Sequence, residues 1–472
     1  MPSKVPNSPL PSSEPRPATS PWTPDRYRQV DRETYWHPFT QMAEYEPFII
    51  ERAEGFYLID IDGNRYLDAV SSLWCNVHGH RHPKLDQAIR DQLDRVAHST
   101  QLGFSNTTTI QLAKKIVDLA PDGLEHVFFS DSGSTAVEVA MKMAFQYWQQ
   151  RPEPQPQKTR FIAMGVAYHG DTIGNVSVGG VDLFHKIFKP LLFEAFRIPA
   201  PFAYRPPEGV ASEDVLQHSL QTAEAILKEH HHEIAALVVE PLIQGAAGMI
   251  VHPEGFLKEL RALTKKYNVL MICDEVFVGI GRMGTMFACE QEGVVPDLLC
   301  LAKGISAGYL PVAATLASTE IYNAFLGTFG ELRTFYHGHT FGGNPLGAAV
   351  SLANLELIEE TQLLESMPTK IERLQEHLAE IKELPHVGDV RQRGFAAGVE
   401  LVQDKATKEP YPYEEKWGYQ VCDEAIRRGV LLRPLGNVVV IVPPLALPLD
   451  EIDKIGQTLK AAIQAVTEGK GT

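Results

Sequence analysis

The feature that most constrains the fold is a series of short apolar segments that alternate with longer segments of helical composition. VLMIC (269–273) is apolar at every position, which is typical of a strand covered on both faces. The alternation therefore predicts an α/β fold with a mainly parallel sheet over roughly residues 85–345. The strand candidates are HVFFS (126–130), FIAMGVA (161–167), IAALVVE (234–240), VLMICDEV (269–276), DLLCLA (297–302) and PVAATLA (311–317).

The two ends of the chain differ from this central part. The first 24 residues contain eight prolines and five serines and no apolar core, so residues 1–28 are predicted to form a disordered tail and not a signal peptide. The C-terminal part predicts a smaller α+β domain, in which short strands lie between helices. The helices are expected at 370–384, 414–428 and 450–466, and the strands at FAAGVELV (395–402), GVLLRP (429–434) and NVVVIVPP (437–444).

Charge and cysteine usage limit the partners and the location. The chain has 43 basic and 59 acidic residues and a net charge of −16, which disfavours nucleic acid and anionic membrane surfaces as partners. No apolar run is long enough for a transmembrane helix. The five cysteines are odd in number and form no CxxC pair, which favours a reducing compartment such as the cytoplasm. HGHRH (78–82) has no acidic or thiol ligand at suitable spacing, so no metal is expected.

The glycine-rich segment GIGRMG (279–284) matches the GxGxxG pattern of dinucleotide-binding enzymes. In such enzymes a strand runs directly into the first glycine and a helix of ten or more residues follows. Here DEVFV separates the apolar strand from Gly279, and only a short stretch precedes Pro296 and the next strand. A dehydrogenase is therefore an alternative that the context does not favour.

Two ionisable residues end apolar strands: Asp274 follows VLMIC and Lys303 follows LLCLA. A charge at such a position costs several kcal/mol unless a partner or a shifted pKa relieves it. One explanation is an internal Asp–Lys ion pair. The other is a pyridoxal phosphate site, in which the lysine forms a Schiff base and the aspartate keeps the pyridine nitrogen protonated.

A pyridoxal phosphate site also needs donors for the phosphate. DSGSTAVEVA (131–140) predicts a strand end, a Ser-Gly-Ser turn and a helix start, whose free N–H groups could bind a dianion. The turn alone could equally be an ordinary helix N-cap. With Asp274 and Lys303 in the same chain, the phosphate interpretation is favoured.

Together these residues resemble the class III, or ω-type, aminotransferases of fold type I, over nearly all of the chain after the tail. The motifs that carry the resemblance are DEVFVGIGRMG (274–284), LAKGISAGYLP (301–311) and HGHTFGGNPLG (337–347). Further segments resemble the members that aminate 8-amino-7-oxononanoate in biotin biosynthesis. These segments are WHPFTQM (36–42), SSLW (71–74), DSGSTAVEVAMKMAFQYW (131–148), YHGDT (168–172) and RPLGNVVVIVPP (433–444).

The resemblance implies a large pyridoxal-phosphate-binding domain at 85–345 and a small domain made of 29–84 and 346–472. It also implies a homodimer with active sites at the interface. Lys303 would bind the cofactor covalently, Asp274 would pair with the pyridinium, and Tyr168 and Val276 would pack on opposite faces of the ring. The phosphate would be held by Gly133 and Ser134, with Thr340 reaching it from the other subunit.

The resemblance further implies a substrate channel, with Arg433 the residue suited to bind the terminal carboxylate of the substrate. Several of the implied site residues also have a structural alternative: Trp74 and Val276 could be core residues, Asp171 could cap the turn after YHG, and both arginines could form ion pairs. The implied channel residues are Trp74, Tyr168, Asp171, Arg282, Lys303 and Arg433.

The amino donor is open between S-adenosylmethionine and lysine. Phe39, Leu73 and Leu445 stand where members that use S-adenosylmethionine have Tyr, Trp and Tyr, which weakens the case for a stacked adenine. Members that use lysine are similar at these positions. Another ω-aminotransferase, acting on ornithine or 4-aminobutyrate, and a non-catalytic pyridoxal-phosphate-binding protein are further alternatives.

Overall fold

A computed structural model describes residues 22–468. Residues 1–21, which carry most of the predicted tail, lie outside this range. The helices are α1 Pro24–Thr34, α2 Ser71–Trp74, α3 Pro83–Leu93, α4 Thr107–Leu119, α5 Gly133–Gln150, α6 Ile173–Val178, α7 Asp182–His185, α8 Val215–His230, α9 Phe256–Lys266, α10 Thr319–Ala324, α11 Pro345–Glu360, α12 Leu363–Lys382, α13 Trp417–Arg427 and α14 Leu449–Glu468.

Strands and short 3₁₀ helices complete the secondary structure. The strands are β1 Ile50–Glu54, β2 Tyr57–Asp60, β3 Arg65–Asp68, β4 Leu124–Ser130, β5 Arg160–Met164, β6 Phe196–Ile198, β7 Ile234–Val239, β8 Ile243–Gln244, β9 Ile250–Val251, β10 Leu270–Asp274, β11 Leu298–Leu301, β12 Ala313–Ser318, β13 Val387–Arg393, β14 Ala396–Asp404, β15 Glu409–Pro410, β16 Val430–Leu431, β17 Arg433–Leu435 and β18 Val438–Ile441. The 3₁₀ helices are Met42–Glu44, Lys186–Leu191, Ser212–Asp214, Cys289–Glu292, Lys303–Ser306, Phe329–Glu331 and Tyr413–Glu415.

The described residues form two compact units. The first contains 22–52 and 58–65, and the second contains 53–57 and 66–468. In the first unit, α1 starts at Pro24 because Thr23 caps it by accepting a hydrogen bond from the Arg26 N–H. This helix overlaps the last residues of the predicted tail, so residues 24–28 are helical. None of the described helices is both long and apolar enough to cross a bilayer.

The largest sheet of the second unit has the strand order β4-β12-β11-β10-β7-β5-β6. β12 is antiparallel to both of its neighbours, and the other six strands run in one direction. Every residue of β7, β10 and β11 is buried, as expected for central strands covered on both faces. The predicted α/β fold with a mainly parallel sheet is confirmed.

The direction of the strands places their carboxyl ends at one edge of the sheet. β10 ends in Asp274, which pairs in register with Cys300 of β11, and Lys303 follows β11. Glu240 directly follows β7, the other neighbour of β10. In an open α/β sheet this edge is where ligands bind, so three ionisable side chains are delivered to one place.

The C-terminal residues form a second sheet with the order β13-β14-β18-β17, in which all pairs are antiparallel. Helices α12 and α14 pack on each other, and so do α13 and α14. α12 starts seven residues before the predicted residue 370 and contains Pro368. A further strand pair, β16 with β3, joins Val430 to Leu67 and Leu431 to Asp68. That pair brings the beginning and the end of the second unit together.

The glycine-rich segment 279–284 lies in a series of turns between β10 and the 3₁₀ helix Cys289–Glu292. No strand runs into Gly279, and no α-helix begins at Gly284 within the described chain. The segment thus lacks the strand–turn–helix arrangement that a dinucleotide site requires.

Candidate active site

A cavity of about 430 Å³ lies at the carboxyl edge of the parallel sheet. It brings together side chains that are far apart in the sequence, from the loop after β3, the start of α5, and the ends of β7, β10 and β11. Seven of the eleven predicted site residues line it: Trp74, Gly133, Ser134, Tyr168, Asp274, Val276 and Lys303.

Lys303 carries the cavity's amine on a strained backbone. Its φ of 44° lies in the left-handed region, which a non-glycine residue adopts only when the surrounding structure holds it there. Asn354 of α11 provides part of this hold, because its Nδ2 donates to the carbonyls of Gly304 and Ile305, both at 2.9 Å. Burial lowers the pKa of the Lys303 amine, although Asp274 raises it. The cavity thus favours a neutral, nucleophilic amine.

Asp274 is buried and is held by two donors. Its Oδ2 is 2.7 Å from His169 Nδ1, and its Oδ1 accepts a hydrogen bond from the Val276 N–H at 3.0 Å. No ion pair joins Asp274 to Lys303 in the described chain, so the internal-pair explanation of these two residues is not supported. The carboxylate is therefore available to a cationic ring nitrogen.

The start of α5, where the sequence predicts an anion site, lines the cavity. Ser132 and Thr135 make a capping box in which each side chain accepts the other's N–H. Gly133 and Ser134 lie in the first helical turn and face the cavity, where backbone N–H groups have no intrahelical acceptor. The site is also closely packed: a Cβ on Gly133 would lie 2.5 Å from Val276 Cγ1, and one on Gly170 would lie 2.0 Å from Ser134 Oγ.

Tyr168 is fixed at both ends of the residue. Its hydroxyl donates to Asp171 Oδ2 at 2.8 Å, and its backbone N–H donates to Glu240 Oε1 at 3.1 Å. Burial and the neighbouring Asp171 carboxylate raise the pKa of the phenol, so it stays protonated. Asp171 itself is exposed and does not line the cavity, but it holds the tyrosine hydroxyl.

Two cavity residues, His169 and Glu240, were not assigned a role from the sequence. His169 lies in the YHGDT segment, contacts Asp274, and has a buried Nε2 without a partner among the described residues. Glu240 is 5% exposed and also accepts a hydrogen bond from the Gly245 N–H at 2.9 Å. Burial raises the pKa of Glu240 to about 7. Its position at the end of an apolar strand is the same signal that revealed Asp274.

The remaining predicted residues lie outside the cavity lining. Arg282 is 3% exposed, and its guanidinium donates to the carbonyls of Phe395 at 3.1 Å and Pro443 at 2.6 Å. Arg433 is exposed in β17, and Thr340 is exposed in the loop before α11. Neither arginine forms an ion pair within residues 22–468, so the ion-pair alternatives are not observed.

The three positions that bear on the donor differ in their surroundings. Leu445 is 1% exposed and belongs to the hydrophobic core, whereas Leu73 is 50% exposed beside the cavity residue Trp74. Phe39 belongs to the first unit and is also exposed. A leucine at 445 is therefore accounted for by packing alone.

Three features of the cavity correspond to three groups of pyridoxal phosphate. The cavity offers an amine with a lowered pKa, a buried carboxylate whose side-chain partner is a histidine, and a glycine-lined helix start. These match the aldehyde, the ring nitrogen and the phosphate of the cofactor in turn. The fold and the site thus define a pyridoxal-phosphate-dependent enzyme of fold type I.

Comparison with known proteins narrows this class. The aminotransferase class-III family matches residues 40–463, and the chain belongs to this family. An adenosylmethionine-8-amino-7-oxononanoate aminotransferase from Nitratidesulfovibrio vulgaris is 55% identical over 446 residues, which are 94% of this chain and 82% of the relative.

Two solved structures are similar in both sequence and fold. The adenosylmethionine-8-amino-7-oxononanoate aminotransferase of Methanocaldococcus jannaschii is 45% identical, with a TM-score of 0.88 over 93% of this chain and 99% of that one. An amine transaminase from an uncultivated Pseudomonas species, in its PLP-bound form, is 35% identical, with a TM-score of 0.86 over 92% of this chain and 99% of that one. The cofactor of the class is therefore pyridoxal phosphate.

Proposed function

We propose that the enzyme transfers an amino group to the ketone carbon of 8-amino-7-oxononanoate, which yields 7,8-diaminononanoate for biotin biosynthesis. The observation that carries the proposal is the cavity in which Lys303, Asp274 and the start of α5 converge. The choice of substrate is supported by the 55% identity to a relative named for this acceptor.

Pyridoxal phosphate, when bound, supplies the aldehyde that holds the amino group between two substrates and the ring that withdraws electrons from the reacting carbon. Lys303 moves the proton in each half of the reaction. Because burial lowers its pKa, the amine can take a proton from the donor carbon and pass it to the cofactor in the first half, and can carry a proton from the cofactor to the acceptor carbon in the second. Positioned proton transfer of this kind is typically worth about 10²–10⁴ in rate.

Asp274 keeps the site complementary to a cationic ring nitrogen. His169 Nδ1 and the Val276 N–H orient its two oxygens, so the carboxylate needs no rearrangement when charge develops. Val276 supports one face of the ring position, and the orientation of Tyr168, fixed by Asp171, supports the other. The first-turn N–H groups at Gly133 and Ser134 would bind the phosphate dianion.

The acceptor's carboxylate is assigned to Arg433, whose guanidinium is exposed and without an ion-pair partner in the described chain. A guanidinium binds a carboxylate through two parallel hydrogen bonds. Trp74 and Tyr168 provide the apolar walls of the cavity for the acceptor's methylene chain. Arg282 is not assigned a direct contact with the substrate, because its hydrogen bonds go to backbone carbonyls and to Ser71 Oγ.

The proposed working form is a homodimer in which Thr340 of each subunit reaches the phosphate in the other. Large apolar side chains on the surface, near Thr340 and elsewhere, support an interface. These side chains include Leu102 (75%), Phe104 (72%), Phe329 (91%), Tyr336 (67%) and Phe341 (60%). The five free cysteines support a reducing compartment, and the cytoplasm is the proposed location.

The donor is assayed directly by product formation. Purified enzyme with pyridoxal phosphate and 8-amino-7-oxononanoate is given S-adenosylmethionine or lysine, and 7,8-diaminononanoate is quantified by mass spectrometry. The proposal expects product with one of these donors, and the donor that supports turnover is thereby identified. Turnover with ornithine or 4-aminobutyrate, and none with 8-amino-7-oxononanoate, would replace the proposed acceptor by that of another ω-aminotransferase. The Lys303→Ala variant is the matched blank.

A further inference from the structure

The segment from Asp68 to His80, here named the cavity loop, includes the short α2, whose Ser72 and Leu73 have non-helical backbone angles. The cavity loop closes on itself and carries Trp74 and Cys75 into the cavity wall. We propose that Asp68 and His80 are positioning residues, which hold the cavity loop in the one conformation that keeps the Trp74 indole at the substrate. The proposal rests on the proposed function, because it takes Trp74 as a wall of the substrate site.

The cavity loop needs such support because its backbone is strained. Ser71, Ser72 and Trp74 have φ angles of 52°, 59° and 64°, all in the left-handed region. Residues with side chains rarely adopt this region, and three of them within four positions persist only if the surrounding structure over-determines them. Without that support the loop would relax and carry the indole with it.

Asp68 supplies the support from a position with no solvent exposure. Its Oδ1 accepts hydrogen bonds from the N–H groups of Val70 at 3.3 Å and Ser72 at 3.0 Å. Its Oδ2 lies 2.7 Å from the Ser72 N–H and 2.9 Å from His80 Nε2. One carboxylate therefore ties the strained start of the loop to its end, and a buried carboxylate is stabilised by just such a set of donors.

His80 is fixed in turn by its neighbours. The amide nitrogen of Asn76 donates to His80 Nδ1 at 3.4 Å, so the ring's other nitrogen, Nε2, carries the hydrogen that Asp68 accepts. The His80 N–H donates to the Gly55 carbonyl at 2.5 Å. Gly79 has a φ of 84°, and a Cβ there would lie 2.8 Å from the same Gly55 oxygen. The end of the cavity loop is thus held in place by the turn between β1 and β2, which contains Gly55.

The cavity loop holds the Trp74 indole so that one face packs on a neighbouring ring while the indole N–H has no hydrogen-bond acceptor in the described part of the chain. Trp74 is 8% exposed and packs on Phe277 with ring centroids 4.7 Å apart. The Lys303 amine lies 5.6 Å from the centre of the indole. Trp74 Nε1 is buried and has no acceptor among the described residues, so it can donate to a bound substrate. A shift of the loop would move this donor and the cavity wall together.

The test compares Asp68→Asn, His80→Leu and the conservative His80→Gln, whose amide can still donate to Asp68. Asp297→Asn is the matched control, since Asp297 is bonded to Arg261 and to the Met271 N–H at the opposite end of β10 and β11. Steady-state kinetics with 8-amino-7-oxononanoate are combined with cofactor affinity and with acrylamide quenching of Trp74 fluorescence. The Trp74 signal is the difference between each protein and its Trp74→Phe counterpart.

We expect Asp68→Asn and His80→Leu to raise the KM for 8-amino-7-oxononanoate about 10–100-fold, with cofactor affinity retained, because displacement of the loop removes an apolar wall and a hydrogen-bond donor from the substrate site. Trp74 should become accessible to acrylamide, and His80→Gln should recover most of the loss. Asp297→Asn should lower thermal stability and leave KM and quenching unchanged.

The proposal is overturned if His80→Leu keeps the wild-type KM and a protected Trp74, or if His80→Gln is as impaired as His80→Leu. Both of these outcomes are measured on His80→Leu and His80→Gln. The test is therefore decisive even if Asp68→Asn does not fold. If wild-type enzyme does not convert 8-amino-7-oxononanoate, the proposed function fails, and quenching of Trp74 alone decides whether Asp68 and His80 hold the loop.

Discussion

Replacing Glu240 by glutamine tests the electrostatics of the cavity. Burial raises the pKa of this carboxyl from 4.5 to about 7, with Asp274 adding to the rise and His169 opposing it. Its oxygens accept the N–H groups of Tyr168 and Gly245, so the glutamine retains the shape and one acceptor but cannot ionise. The substitution therefore removes one titration and leaves the other groups of the site in place.

The sign and size of the effect follow from the two pKa values. Between pH 4.5 and 7 the folded protein keeps the Glu240 proton while the unfolded chain loses it, so the free energy of unfolding falls as pH rises. The destabilisation is complete above about pH 7. A pKa raised from 4.5 to about 7 corresponds to roughly 3 kcal/mol, at about 1.4 kcal/mol per pH unit.

The assay is urea unfolding of wild type and Glu240→Gln at pH values from 5 to 8, with the difference between the two proteins plotted against pH. Across this pH range, the free energy of unfolding of wild type should fall by up to about 3 kcal/mol relative to that of the variant. Glu194→Gln, at a side chain that is 93% exposed, controls for the loss of one charge. A difference that stays constant from pH 5 to 8, or that changes in favour of wild type, would refute the reasoning.

Three further substitutions test the cofactor and substrate contacts. Gly133→Ala places a Cβ 2.5 Å from Val276 Cγ1 and should weaken pyridoxal phosphate binding about 5–100-fold by titration, from overpacking of about 1–3 kcal/mol, with Val276→Ala restoring part of it. Arg433→Ala should raise the KM for 8-amino-7-oxononanoate about 10–100-fold and spare cofactor affinity; equal losses would make Arg433 structural. Tyr168→Phe removes the bond to Asp171 and should lower kcat/KM several-fold, by about 1 kcal/mol.

The sheet and the central pair of the site could be predicted from the sequence because their signals are local. A strand buried on both faces is apolar throughout, and an ionisable residue at its end stands out, which led to Asp274 and Lys303. Glu240 shows the same signal after β7 and was given no role, since IAALVVE was interpreted only as a strand. An ionisable residue at the end of a buried strand is therefore more informative than the sequence motif around it.

Other parts of the site depend on contacts that no local pattern reveals. Arg282 resembles a channel residue, yet its donors meet the carbonyls of Phe395 and Pro443, more than 100 residues away. His80 could be recognised as a partner of Asp68 only once the cavity loop had folded back on itself. Helix boundaries were also displaced, as at α12, because one proline inside a helix removes only one hydrogen bond.

The most direct test of the central claim identifies the lysine that binds the cofactor. The yellow enzyme is reduced with borohydride, digested, and searched by mass spectrometry for a peptide that carries the reduced cofactor. The account predicts that the visible band is lost and that the label is on Lys303, and that Lys303→Ala is not labelled. A colourless protein that binds no pyridoxal phosphate in excess, or a label on any other lysine, would contradict it.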